Sequence, residues 1–486
     1  MVVQRRLLAA GGPWLLRGPA FSATAGALFA LDALLTAPVW MLAAKQFDPG
    51  PNAPGRMGFA VAMLAAFGCW LLSLYGLGLY RRDAMLDLRR SIARIPLAAV
   101  LAAVAAWVAT MAVCLVFDVS RPPGATWQAA LFAVAVVCFA VSGTAARLGF
   151  AVLVEAGTFR RRLLVVGAGR RARDLLARIR AESSCFQDEV IFVHHPVLGM
   201  RLNLHDGAPG GFVVDVPEFD ILGVALRHDV HQIVIAPDER RGMNLQNLLE
   251  CKKAGFPIVQ YLSFIERETR RIDLVNIELS WFLYSDGFSF GLLDRMLKRG
   301  FDLVTSLAIL LLTAPVLAAA SAAIRLEGQG PILYRQERIT RDGRTFEVLK
   351  LRTMRVDAEA GGAVWAGVCD PRVTRVGRFL RRSRIDELPQ LFNVLRGDMS
   401  IVGPRPERPV FVARLAREIP LYNERHMVKA GLTGWAQVNY PYGASVEDAR
   451  NKLSYDLYYV KNFSVLLDIL ILAQTIRVLF WPGGVR

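Results

Sequence analysis

The chain has 486 residues, 54% of them hydrophobic, and a formal charge of +16. Soluble chains run nearer about 45–50% apolar, so a wholly soluble protein is excluded, and the length predicts two to four domains. The charge calls for an acidic partner; with no nucleic-acid-binding module in the sequence, that partner is expected to be anionic lipid or a phosphorylated substrate, not nucleic acid.

The apolar excess is concentrated before residue 157. Four stretches, 21–44, 57–80, 96–117 and 128–156, reach the length of about 20 residues that a bilayer requires. The first is too long for a cleaved signal peptide and is closely followed by further spans. The connectors differ in charge: "RRDAMLDLRRSIAR" follows the second stretch and "RRR" the fourth, whereas "KQFDPGPNAPGR" and "DVSRPPGAT" hold few basic residues. The positive-inside rule puts both ends of this predicted four-helix transmembrane bundle on the cytoplasmic face.

From about Arg160 the pattern becomes α/β. "RRLLVVGAGRRARDLLARIR" predicts a strand, a glycine turn and a helix, and "VHQIVIAPD" and "FPIVQYL" predict further short buried strands. Gly167, Gly169 and Ala172 match the dinucleotide fingerprint, in which glycines let backbone N–H groups approach a pyrophosphate. The fingerprint also needs an acid at the end of the second strand, but "EVIFVHHP" ends in His194 and His195. A structural or regulatory Rossmann-like module is therefore favoured over a nucleotide site. Six cysteines form no CxxC pair and six histidines no HExxH, so neither a disulfide framework nor a zinc site is expected.

A fifth apolar run, 303–324, follows the basic "RMLKRG". Basic residues flank it on both sides, and Pro315 lies mid-run, where it removes a backbone hydrogen bond. Both observations predict a helix that dips into one leaflet and returns, with Thr313 near the freed carbonyls. The final stretch, "SVLLDILILAQTIRVLFW", carries Asp468 and Arg477 and predicts an interfacial amphipathic helix.

Between these two runs lies "RSRIDELPQLFNVLRGDMSIVGPRPER". Pro389 suits the first turn of a helix that Gly397 can close, which sets Asp386 and Glu387 at its N-terminus. There they would cap the helix and offset its dipole, or do chemistry. Their neighbours favour chemistry. Arg381, Arg382 and Arg384 precede them, and Arg405, restricted by prolines on both sides, is pre-organised to grip phosphate oxygens. Lys350 and Arg352 alternate on the strand "FEVLKLRTMR", either as part of the same cationic pocket or as a solvated basic face. A nucleotide diphosphate and a divalent ion fit such a pocket, with the acids as oxygen ligands.

The motifs "GPILYRQERI", "FEVLKLRTM", "RIDELPQLFNVLRGDMSIVGPRPE", "KAGLTGWAQVN" and "YDLYYVKNFSVLLDILIL", in this order, resemble the bacterial sugar transferases, the monotopic phosphoglycosyl transferases. The chain as a whole is similar to their large undecaprenyl-phosphate glucose or galactose phosphotransferases, and "NYPYGASVEDA" resembles the exopolysaccharide branch. This resemblance implies a multi-domain inner-membrane protein. Its parts are a transmembrane bundle (1–157), a Rossmann-like, CoA-binding-like domain (158–285) and a catalytic α/β domain (290–486). The catalytic domain would carry the re-entrant helix 303–324 and face the cytoplasm.

The implied reaction transfers a hexose 1-phosphate from a UDP-hexose to undecaprenyl phosphate, releases UMP and starts exopolysaccharide assembly. Asp386 maps onto the family's nucleophile and Glu387 onto its Mg²⁺-binding glutamate, with both acids able to hold the metal. Lys350, Arg381 and Arg405 map onto its phosphate-binding residues. Inner-membrane lipids and a second copy of the chain are further partners in view. The sequence departs from the small members in one place, Ala314-Pro315 standing where they carry Ser-Pro. The alternatives are a membrane-anchored NAD-dependent sugar-nucleotide epimerase or oxidoreductase, and a non-catalytic assembly scaffold. No Tyr-xxx-Lys pair in the Rossmann-like region supports the first, and the intact acid pair argues against the second.

Overall fold

The computed structural model describes residues 23–45, 56–116, 125–182, 188–198, 211–239, 243–288, 291–355, 371–441, 443 and 445–480. The chain divides into two compact units, Met1–Arg270 and Arg271–Arg486.

The N-terminal part of the first unit is made of long apolar helices: α1 (Ala23–Lys45), α2 (Arg56–Gly76), α3 (Leu88–Val116) and α4 (Ala125–Glu155). They hold the four apolar stretches read from the sequence, except for turn residues at 77–80 and 156; residues 21, 22 and 117 lie outside the described part. Each helix has a window long and apolar enough to cross a bilayer. Hydrocarbon offers polar groups no water, so those inside must find one another. Asp32 of α1 is fully buried and accepts from Arg147 of α4 and from the Tyr80 hydroxyl (2.8 Å). One turn further along α1, the Thr36 hydroxyl donates to Ser142 of α4 (2.9 Å) and accepts from Trp70 of α2 (3.1 Å). Trp70 in turn stacks on Phe139 of α4, with ring centroids 5.0 Å apart. Lipid is as apolar as leucine, so polar matching of this kind supplies specificity that aliphatic contacts cannot.

An α/β segment follows: β1 (Arg161–Val166), α5 (Arg170–Glu182), β2 (Asp188–His194), β3 (Gly211–Asp215), α6 (Ile221–Arg227), β4 (Gln232–Ile235), α7 (Leu245–Lys253), β5 (Ile258–Gln260) and α8 (Tyr261–Thr269). The strands pair in parallel in the order β3-β2-β1-β4-β5. Central β1 buries Leu163, Leu164, Val165 and Val166 completely, the continuous apolar run of a strand covered on both faces. Edge strand β3, "GFVVD", has no counterpart among the strands read from the sequence; its short apolar run is set among glycines that read as loop.

In the second unit, residue 272 already belongs to the C-terminal fold, since the Ile272 amide donates to the Ser454 carbonyl (3.0 Å). The unit contains the 36-residue helix α9 (Leu292–Glu327), the antiparallel hairpin β6 (Leu333–Ile339) and β7 (Thr345–Leu351), α10 (Arg375–Arg382) and α11 (Gln390–Arg396). It continues through β8 (Ser400–Val402), α12 (Pro409–Glu418), β9 (Gly431–Thr433), α13 (Val446–Lys461) and α14 (Val465–Phe480), with β8 and β9 parallel.

Helix α9 runs unbroken through Pro315. The Thr313 hydroxyl donates to the Ile309 carbonyl (2.7 Å), not to that of Leu311, which Pro315 deprives of its amide partner. Both ends of α9 pack on the same unit. Near the start, buried Lys298 bonds Asp468 (2.6 Å), Asp302 (3.1 Å) and the Val402 carbonyl (3.3 Å). Near the end, Ala320 and Ile324 share a core with Leu351 and Leu380. Between these anchors Val304, Leu307, Leu311 and Leu312 are exposed. Helix α14 differs from the interfacial expectation: Asp468 and Arg477 are both buried, because Lys298 answers the first and the Val438 carbonyl (3.1 Å) accepts from the second.

Candidate active site

Helix α10 is N-capped by the Thr374 hydroxyl, which accepts from the Gly377 amide (2.9 Å). Gly377 is required there: a Cβ would lie 2.1 Å from the Thr353 carbonyl, so only glycine lets α10 approach the chain leaving β7. After α10, Arg384 takes a left-handed conformation (φ 58°), uncommon for a residue with a side chain. It turns the chain into the 3₁₀ segment Ile385–Glu387, from which Pro389 leads into α11. Gly397, at φ 101°, closes that helix as expected. No side chain caps α11, so the acid pair is not its N-cap.

Glu387 is 14% exposed, and its Oε1 faces Lys350 Nζ (3.2 Å), Arg405 Nη2 (3.3 Å) and Arg384 Nη1 (3.6 Å). Burial works against its charge, but Lys350, Arg405 and Arg384 outweigh it and hold the carboxyl well below the usual range. Asp386 is the opposite case. It is 8% exposed, and its Oδ1 is buried with no hydrogen-bond partner among the described residues. Burial and the neighbouring Glu387 charge push its pKa up to about 6, against the pull of Lys350, Arg381 and Arg384. Two adjacent carboxyls thus differ in kind: one locked as an anion, the other shifted toward neutrality with an oxygen unused.

Lys350, Glu387 and Arg405 therefore meet directly, with Asp386 alongside. Burial lowers the Lys350 ammonium from its ordinary range. Arg381 acts on Asp386 through space, while its Nε donates to the Thr353 hydroxyl (2.8 Å). Thr353 was not among the residues singled out from the sequence; one hydroxyl in a basic segment carries no signal until α10 folds against β7. Arg352 does not join the site. The strand ends at Leu351, so alternation fails one residue later, and Arg352 binds the Ile324, Gly328 and Gln329 carbonyls at the end of α9.

Among the described residues no group of three or more His, Cys, Asp and Glu is poised to hold a metal. Two carboxylates suffice for Mg²⁺ when substrate phosphates and water complete its shell. The uncommitted Oδ1 of Asp386 fits that role. An apolar groove runs along α9, lined by Leu310, Ala314 and Leu317 on the helix and by Leu351, Pro389 and Phe392 opposite.

The glycine turn after β1 makes its contacts internally. The Arg170 and Arg171 amides, which open α5, donate to the Asp238 carboxylate at 2.8 and 3.0 Å. A Cβ on Gly169 would lie 2.0 Å from that carboxylate, and one on Gly167 2.6 Å from the Ala236 carbonyl. His194 pairs with Asp215 (3.0 Å), and the His195 ring bonds the Pro217 carbonyl (3.2 Å), both where β2 gives way to loop.

Residues 293–482 match the bacterial sugar transferase family. A UDP-N-acetylgalactosamine-undecaprenyl-phosphate N-acetylgalactosaminephosphotransferase of Aeromonas hydrophila is 38% identical over 304 residues, 62% of this chain and 67% of that protein. A UDP-glucose:undecaprenyl-phosphate glucose-1-phosphate transferase of Escherichia coli K12 is 37% identical over 263 residues, 48% of this chain and 57% of that protein. The exopolysaccharide production protein PSS of Rhizobium leguminosarum bv. phaseoli is 41% identical over 190 residues, 38% of this chain and 95% of that protein.

Proposed function

The chain belongs to the bacterial sugar transferase family, and on that premise we propose that it moves a hexose 1-phosphate from a UDP-sugar to undecaprenyl phosphate, releasing UMP. The observation that carries this proposal is the asymmetry of the acid pair. Asp386 has a buried oxygen with no partner, and Glu387 is held as an anion by Lys350, Arg405 and Arg384.

Asp386 attacks the β-phosphorus of the UDP-hexose. The bond from that phosphorus to the bridging oxygen breaks, UMP leaves with the electron pair, and the hexose phosphate is held on the Asp386 carboxyl. An oxygen of undecaprenyl phosphate then attacks the same phosphorus, breaks the acyl–phosphate bond and regenerates the carboxylate. Lys350, Arg381 and Arg405 face the phosphoryl oxygens as charge redistributes. Mg²⁺, held by Asp386 and Glu387, would supply further neutralisation of phosphate charge. The groove along α9 is where we place the polyprenyl chain, because its lining is mostly apolar and includes Pro389, the second residue after Glu387. The exopolysaccharide role follows the Rhizobium relative's name.

The division into a membrane part, a Rossmann-like module and a catalytic domain belongs to the same proposal, as does placing the catalytic domain on the cytoplasmic face of the inner membrane. Helix α9 would enter one leaflet and return; that its two ends pack on one unit supports this. Nicotinamide chemistry in the five-stranded sheet is disfavoured, because Asp238 occupies the position a pyrophosphate would need.

Exchange of labelled UMP into the UDP-sugar, with no lipid acceptor, tests the proposal, since it requires only the first half-reaction. Wild-type enzyme should catalyse it and Asp386→Asn should not. Exchange by the variant at the wild-type rate would remove Asp386 as nucleophile.

A further inference from the structure

We propose that Arg425 and Arg338 are positioning residues that fix the direction of Arg405 by gripping the backbone of its loop. The inference rests on Arg405 facing substrate phosphate, as above. Pro404 and Pro406 have no amide hydrogen, so the loop must be held largely through its carbonyls. All four carbonyls from 404 to 407 are taken. Pro404 accepts from the Gly431 amide (2.9 Å) and Glu407 from the Ile339 amide (3.0 Å). The two between them go to guanidinium groups: Arg405 accepts from Arg425 Nη2 (3.0 Å) and Pro406 from Arg338 Nη1 (3.0 Å). The side chain that leaves this clamped peptide reaches Glu387 at 3.3 Å.

Arg425 suits the task. It is buried in the 3₁₀ segment Tyr422–Met427 and pairs with Asp456 of α13 (2.8 Å), itself buried. It also donates to the Tyr422 hydroxyl (2.8 Å) and stands over the Tyr422 ring at 5.2 Å. A buried charge is costly unless it is answered, and Asp456 answers this one. The planar fork then serves carboxylate, hydroxyl and loop carbonyl together, which a lysine cannot reproduce. Arg338, on β6, is partly exposed and lies 3.7 Å from Glu407.

A merely structural role and a positioning role separate in a double-mutant cycle on the full-length protein in detergent. The donor is whichever of UDP-glucose, UDP-galactose and UDP-N-acetylgalactosamine gives the fastest UMP release. The variants are Arg405→Gln, Arg425→Lys, Arg338→Gln and the two doubles with Arg405→Gln. Each single should raise the KM for the UDP-sugar in the exchange reaction by about tenfold, with a smaller change in kcat. On the Arg405→Gln background, adding either second change should alter KM by less than about twofold. Equal losses on both backgrounds, or no loss from either residue, would overturn the inference while leaving the Arg405 assignment standing. Wild-type kinetics in Arg405→Gln would remove that assignment and the inference with it. Thermal unfolding checks each variant, and the partly exposed Arg338→Gln decides the matter if Arg425→Lys does not fold.

Discussion

Asp386 and Glu387 share a backbone turn and differ in surroundings, and the difference has measurable consequences. Asp386 must be ionised to attack, so UMP exchange at limiting Mg²⁺ should rise as pH passes through about 6 and level off above it, and saturating Mg²⁺ should draw the rise to lower pH. A bell or plateau centred near an ordinary aspartate value would contradict this. The same shift bears on stability. A carboxyl whose pKa is raised by folding binds more protons in the native state, so its contribution falls as pH rises from the unfolded value through about 6. Above that point it opposes folding by up to roughly 3 kcal/mol. Asp386→Asn should therefore be inactive yet unfold at higher temperature than wild type at pH 7.5 in EDTA, with the gap closing toward pH 4. Equal or lower melting in the variant would show that the ionised carboxyl has a stabilising partner. The sequence made Asp386, Glu387, Lys350 and Arg405 legible because charge contrast and proline spacing are local signals. Thr353 and Arg425 were not legible, since each gains its role from a partner at least 20 positions away.

Among the elements, α9 is the least ordinary. By length and composition alone it is a candidate span, equal to the N-terminal helices. Its two anchors set it apart, because Lys298 and Ile324 are buried in the same unit while Val304, Leu307, Leu311 and Leu312 between them are exposed. A soluble fold cannot lie on both sides of a bilayer, so both ends should face one side, which under the proposed function is the cytoplasm. Cysteines replacing Arg295 and Leu326, each in a cysteine-free background, should resist an impermeant thiol reagent in whole cells and react after permeabilisation. Labelling of position 326 from outside would make α9 a true span. Periodicity located α9 and the strands β1, β2, β4 and β5, whose apolar runs are bounded by turns. It missed β3, where pairing to β2 supplies order that the residues themselves do not signal. It also misjudged α14, since a charge on an apolar helix reads the same whether water or a buried counter-ion receives it.

At the scale of the molecule, the chain falls into two units that meet in sequence near residue 270, and the acid pair lies in the second with Lys350, Arg381, Arg384 and Arg405. Residues 271–486 in detergent should retain UMP exchange within about tenfold of the full chain, as expected if remote parts add stability more than transition-state contacts. Complete loss in a fragment that still unfolds cooperatively would place essential chemistry upstream. In the first unit, Asp238 has a consequence of another kind. A fold that binds a dinucleotide gains stability with ligand concentration and loses it when the pool is depleted. Here the anion that answers the Arg170 and Arg171 amides is part of the chain, tethered at a fixed effective concentration. The sheet should therefore draw no stability from a dinucleotide, and added NAD should leave its unfolding unchanged.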